Sequence, residues 1–162
     1  GVLLKTRRNR PETSIRLKSH QFLNNVLAKR EIGHVSNAEG IFLTEEGYVA
    51  EGIVSNLFWV KNGVVYTPAL ETGILNGVTR RFVIELLKTN GIPYFTGLYE
   101  FDDLMKADEV FMTNSMQEIV PFFDIEGQKF PGIKGEMVQT LLQDYAKYRE
   151  MLWSYKQLSE RA

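Results

Sequence analysis

Two hydrophobic periods take turns along this chain. Residues 2–6 are apolar and β-branched enough for a strand, and residues 7–14, with Asn9-Arg10-Pro11, supply the turn that ends it. A short extended run, Ile15-Arg16-Leu17-Lys18-Ser19, then leads into a helix. In that helix Phe22, Leu23, Val26 and Leu27 recur on one face, which is expected to lie in the core, with Ser19 as N-cap and Gly33 as the stop. From Glu39 to Thr67 the period falls to two. Strands are predicted over 41–43, 48–49, 57–60 and 64–66, and Asn62-Gly63 marks a tight hairpin between the last two. The helical period returns after Gly73, with Phe82, Val83, Leu86 and Leu87 on the buried face and Asn90-Gly91 as the end. Beyond it the pattern predicts a strand over 92–95, a short helix over 101–106 and a strand over 109–113. A hairpin about Glu126-Gly127 follows, then a terminal helix over 136–158 whose Val138, Leu141, Leu142 and Tyr145 face the core.

The alternation of strands and helices over 162 residues argues for a single α/β (α+β) domain covering 1–162. With 44% hydrophobic and 24% charged residues the composition is that of an ordinary globular chain, and no apolar run has the length of a membrane span. There is no cysteine, which removes disulfides, thiolate metal sites and cysteine nucleophiles; cytoplasmic localisation is the expectation. His20 and His34 lack metal-ligand spacing, so no metal is expected. A net charge of −1 argues against nucleic acid or an anionic membrane as partner. The basic group Lys5, Arg7, Arg8 and Arg10 stands apart from that balance and reads as a solvated turn.

Four features could carry chemistry. Lys18, at the end of an extended run, is a lysine that a sheltered pocket could turn into an amine nucleophile or base. Glu51 lies in a polar island, residues 51–56, inside an otherwise buried-looking meander; alone it reads as an ordinary turn carboxylate. The run Gly73-Ile74-Leu75-Asn76-Gly77-Val78-Thr79-Arg80 opens a helix with free N–H groups and a threonine hydroxyl, fit for an anion or for simple capping. The polar tip Asn114-Ser115-Met116-Gln117-Glu118-Ile119-Val120-Pro121 follows a buried strand and offers a second hydroxyl and further amides, or an ordinary turn.

In their order these features resemble the fold-type IV pyridoxal-phosphate enzymes, the family of branched-chain and D-amino-acid aminotransferases and aminodeoxychorismate lyases. The resemblance is carried by Leu17-Lys18-Ser19 with Leu27-Ala28-Lys29-Arg30-Glu31, by Gly47-Tyr48-Val49-Ala50-Glu51-Gly52 with Ser55-Asn56-Leu57-Phe58, by the 73–80 run, by Ala107-Asp108-Glu109-Val110-Phe111 and by Glu118-Ile119-Val120-Pro121. It spans nearly the whole chain. Lys18-Ser19-His20, Asn24-Asn25-Val26-Leu27 and Thr113-Asn114-Ser115-Met116 make it most similar to the lyases of the Gram-positive bacterial type.

The resemblance implies the large domain of that fold, a barrel-like mixed sheet surrounded by helices. It also implies pyridoxal 5'-phosphate as cofactor and a homodimer that cleaves 4-amino-4-deoxychorismate to 4-aminobenzoate and pyruvate. A D-amino-acid or branched-chain aminotransferase is the alternative. By the same resemblance Lys18 would hold the cofactor aldehyde and act as the base, and Glu51 would face the pyridine nitrogen. Leu75 would pack on the ring, Val78, Thr79 and Ser115 would hold the phosphate, and Met116 and Asn114 would meet the substrate carboxylate. Ile53, Val54 and Phe22 depart from the family pattern toward a more apolar pocket. The family's smaller N-terminal domain is not in this sequence, so an incomplete, catalytically silent module is a further expectation for the chain alone.

Overall fold

A computed structural model describes residues 1–8 and 23–152. In chain order the strands are β1 (Val2–Leu3), β2 (Gly40–Leu43), β3 (Val49–Gly52), β4 (Asn56–Lys61), β5 (Val64–Pro68), β6 (Tyr94–Gly97), β7 (Glu109–Asn114), β8 (Glu118–Pro121), β9 (Asp124–Ile125) and β10 (Gln128–Lys129). The helices are α1 (Leu23–Ile32), α2 (Val78–Thr89), α3 (Phe101–Met105) and α4 (Glu136–Leu152).

The strands form three separate sheets among the described residues: β1-β2-β3, β6-β5-β4-β7-β8, and the β9/β10 hairpin. The first is mixed, with β1 parallel and β3 antiparallel to β2; in the second only the β5/β6 pair is parallel. The sheets do not close on one another, so the barrel-like sheet expected from the resemblance is corrected to stacked layers. The cause is visible along β4. Leu57 and Trp59 point one way, into a core shared with Ile41, Leu43 and Val49 of the smaller sheet. Phe58 and Val60 point the other way, into a core with Val83, Leu86, Leu87, Val138 and Leu141 of α2 and α4. The five-stranded sheet is therefore buried on both faces, each large side chain contributing roughly 1.5–3 kcal/mol by leaving water. The smaller sheet turns its other face, Phe42 and Ala50, toward Ala28 and Ile32 of α1.

Most predicted elements are found within a residue or two. Asn62 and Gly63 make the expected turn, with φ of 50° and 75°. Two segments differ. Residues 118–121, read as part of a turn, form β8, whose Ile119 fills the helix-side core. Helix α1 packs on a different face from the one predicted: Ala28 and Ile32 are buried, while Leu23, Val26 and Leu27 are exposed. Its inward line is Asn25, Ala28 and Ile32, and the polar first member is held by hydrogen bonds, which turns the apolar residues outward. Phe22 and the predicted cap Ser19 lie outside the described residues.

Candidate functional site

Glu51 is the third residue of β3, the edge strand of the smaller sheet, and so belongs to a strand and not to a turn. It is 4% exposed. A carboxylate withdrawn this far from water needs compensating partners. Arg8 Nη2 donates to Oε1 at 2.6 Å, the Leu75 N–H donates to Oε2 at 2.9 Å, and Asn56 Nδ2 lies 3.5 Å from the same oxygen.

Those partners draw four parts of the chain together. Asn56 opens β4 and also donates to the Leu75 carbonyl at 2.8 Å, so the linker before α2 is tied to Glu51 directly and through Asn56. Gly77 follows as the N-cap of α2; it has no side chain with which to cap, and a Cβ placed there would strike Asn56 Oδ1. The first N–H groups of a helix lack partners within it, and α2 is twelve residues long, so its start presents donors and the positive end of the dipole. Val78 at this position is 69% exposed, whereas Thr79 is buried. Tyr145, coming from α4, stands at Thr79: burial raises its phenol above the usual value, and the Thr79 hydroxyl works against that rise. Arg80 is turned away, donating to the Pro68 carbonyl at 3.0 Å and to Asn76 Oδ1 at 3.3 Å. Burial lowers its pKa, with Glu71 acting in the opposite direction.

The polar tip leaves the sheet at this same end, because Thr113 in β7 is paired with Asn56 in β4. Thr113 is 2% exposed and its hydroxyl has no hydrogen-bond partner among the described residues. Ser115 is exposed and Met116 is 90% exposed. The Met116 N–H, a candidate for binding a substrate carboxylate, donates to Asn114 Oδ1 at 3.0 Å, as does that of Gln117 at 2.7 Å. The tip is therefore a closed turn held by Asn114. It is further pinned by Glu118, at a φ of 63°, which pairs with Arg149 of α4 at 2.9 Å.

Lys18 lies outside the described residues, as does Arg16. The described residues on either side of that stretch do converge on the site. Arg8 reaches Glu51, and Asn25 on α1 donates to the Ile53 carbonyl and accepts from Arg8 Nη1 at 3.1 Å. Ile53 is buried in the core beside α1 and Val54 is 65% exposed, so these two departures from the family pattern have separate fates. Arg8 is the residue that sequence reasoning missed. Leu4 and Arg8 are both buried, but bends at Lys5 and Thr6 lie between them, so no local period in the run of cations marks Arg8.

The donor set fits pyridoxal phosphate. A helix start with donors to spare suits the phosphate, a buried carboxylate suits a ring nitrogen, and half-buried Leu75 lies between them in the chain.

The sequence profile of the family described as amino-transferase class IV matches residues 1–125. The aminodeoxychorismate lyase of Bacillus subtilis (strain 168) is 55% identical over 147 residues, covering 91% of this chain and 50% of that protein. Among solved structures, 4-amino-4-deoxychorismate lyase from Pseudomonas aeruginosa superposes with a TM-score of 0.83 at 29% identity, covering 90% of this chain and 53% of that one. The branched-chain amino acid aminotransferase of Escherichia coli gives a TM-score of 0.83 at 30% identity, covering 90% and 49%. The chain spans about half the length of the curated relatives it matches.

Proposed function

We propose, from the premise that this chain belongs to the amino-transferase class IV family, that the whole protein is a pyridoxal-phosphate-dependent lyase converting 4-amino-4-deoxychorismate to 4-aminobenzoate and pyruvate. Residues 1–162 are then its large, cofactor-binding domain. The observation that carries the chemistry is the buried Glu51 carboxylate fastened to the linker that opens α2, an acid and an anion site built as one unit. The observation that favours the lyase is the 55% identity to an aminodeoxychorismate lyase, against 39% for a D-alanine aminotransferase.

When bound, the cofactor supplies an electron sink for the charge that develops at the amino-bearing carbon of the substrate. Glu51 would accept a hydrogen bond from the ring nitrogen and favour its protonated form. Leu75 would pack on the ring and exclude water from one face. The N–H groups of Val78 and Thr79 would hold the phosphate, joined by the Thr79 and Ser115 hydroxyls. Lys18 would hold the cofactor and would be the base for the proton at the substrate carbon. Asn114 and Met116 orient the substrate carboxylate, which requires the Met116 N–H to be shared with or released from Asn114. Small molecules are the partners in this reading. The outward Leu23, Val26 and Leu27 of α1 support a homodimer of the whole protein, which light scattering on the full-length protein would test.

An aminotransferase acting on D- or branched-chain amino acids is the second reading, favoured by the equally good superposition on branched-chain aminotransferases. The full-length protein, given 4-amino-4-deoxychorismate and no keto acid, is expected to release pyruvate and 4-aminobenzoate in equal amounts. Turnover of D-alanine with 2-oxoglutarate in the absence of that release would replace the lyase by the transaminase.

A further inference from the structure

We propose that Arg8 is a positioning residue for the reaction, holding the Glu51 carboxylate charged and aimed so that a bound cofactor keeps its ring nitrogen protonated. The proposal rests on the reading of Glu51 given above and adds a residue to it.

Arg8 is 5% exposed, in contrast to its exposed neighbour Arg7. Its backbone is fixed by a bridge to Thr44 beside β2, with its N–H donating to the Leu43 carbonyl at 2.8 Å. The guanidinium is gripped on three sides. Nη2 meets Glu51 Oε1, Nη1 meets Asn25 Oδ1, and the planar group lies 5.0 Å from the centre of the Phe42 ring. Asn25 is in turn anchored to the Ile53 carbonyl, so the arginine is backed by α1 on one side and by β2 on the other. Fixing an arginine this firmly costs side-chain entropy and desolvation, and a fully buried ion pair is weak evidence for stability alone.

The consequence for Glu51 is electrostatic. A ring nitrogen and a carboxylate share one proton, and the pair has no net charge whichever group holds it. A neighbouring cation breaks that balance, because it favours the state in which the carboxylate is negative and the proton resides on the ring. Without Arg8 the proton moves toward Glu51 and the electron sink weakens. The contact also uses Oε1 while the Leu75 N–H uses Oε2, which sets the plane of the carboxylate.

The test is the nitrogen-15 resonance of ring-labelled pyridoxal phosphate bound to the full-length protein, in the wild type and in Arg8→Gln, Arg8→Met, Arg8→Lys and Glu51→Gln. The resonance is expected to move toward its unprotonated position in both neutral Arg8 variants and in Glu51→Gln, and to stay near the wild-type position in Arg8→Lys. In parallel kcat falls on the order of tenfold in Arg8→Gln while KM stays within about twofold. An unmoved resonance in Arg8→Gln and Arg8→Met, with movement in Glu51→Gln, overturns the role of Arg8 and leaves the reading of Glu51 standing. No movement in Glu51→Gln overturns both. If neither neutral variant folds, Arg8 serves stability alone and the proposal falls.

Discussion

At Gly77 the lack of a side chain is a steric requirement. Its φ of −60° would suit any residue, yet a Cβ would collide with Asn56 Oδ1, the far end of the side chain that links Glu51 to the α2 linker. Gly77→Ala is therefore expected to push Asn56 aside, destabilise the chain by roughly 1–3 kcal/mol and weaken cofactor binding, as thermal melts and a fluorescence titration with pyridoxal phosphate would show. Thr113 gives the opposite expectation. Its buried hydroxyl has no partner among the described residues, so Thr113→Val removes an unsatisfied group at constant shape and should leave stability unchanged or raise it by about 1 kcal/mol in urea unfolding. A loss of stability larger than that would show that the hydroxyl is partnered in solution. The sequence pointed to Glu51, Leu75 and Thr79 because they sit in ordered motifs. It hid Arg8 beside Lys5 and Arg7, which are exposed where Arg8 is buried, and that burial depends on Glu51, more than forty positions later. It also offered Met116 as a free donor, whereas the Asn114 side chain, two residues earlier, has already taken that N–H.

Among the elements, α4 depends on a residue from another one. Glu109, the first residue of β7, accepts the N–H groups of Met137 at 3.0 Å and Val138 at 2.9 Å, so a strand carboxylate caps the helix N-terminus and complements its dipole. That cap fixes the start of the helix that carries Tyr145 to Thr79 and Arg149 to Glu118. Glu109→Gln keeps the size and one acceptor but loses the charge, and is expected to cost about 1–2 kcal/mol, read as a lower urea midpoint with an unchanged slope. An unchanged midpoint would show that the helix start is held by its core residues alone. Helix α2 was readable because Val83, Leu86 and Leu87 form a wide apolar face. Helix α1 was not, because its inward face starts with a polar residue engaged by Arg8 and Ile53, and tertiary hydrogen bonds outweigh an apolar stripe of equal width.

For the whole molecule, layer order could not be taken from periodicity. A strand buried on both faces, such as β4, reads as a continuous apolar run, and nothing local says whether a second sheet or a helix will cover each side. Three carboxylates hold turns and element ends at the rims. Asp108 accepts from Lys61 and the Asn62 N–H, which lower its pKa below the usual carboxylate value. Asp124 is lowered by Lys129 and the Gly127 N–H. Glu31 is lowered too: burial acts against the shift, and the Lys5 and Thr6 N–H groups and the Thr6 hydroxyl outweigh it, tying the segment after β1 to the end of α1. A carboxyl group with a depressed folded-state pKa contributes stability above its unfolded pKa of about 4 and loses it as the pH falls through the folded value. All three therefore act in one direction, and unfolding should become easier as the pH drops from about 5 toward 2. The triple variant Glu31→Gln, Asp108→Asn, Asp124→Asn is expected to melt lower than the wild type at pH 7, with the two melting curves converging at the acid end. Parallel curves across that range would mean that these rim contacts are as strong with protonated carboxyls.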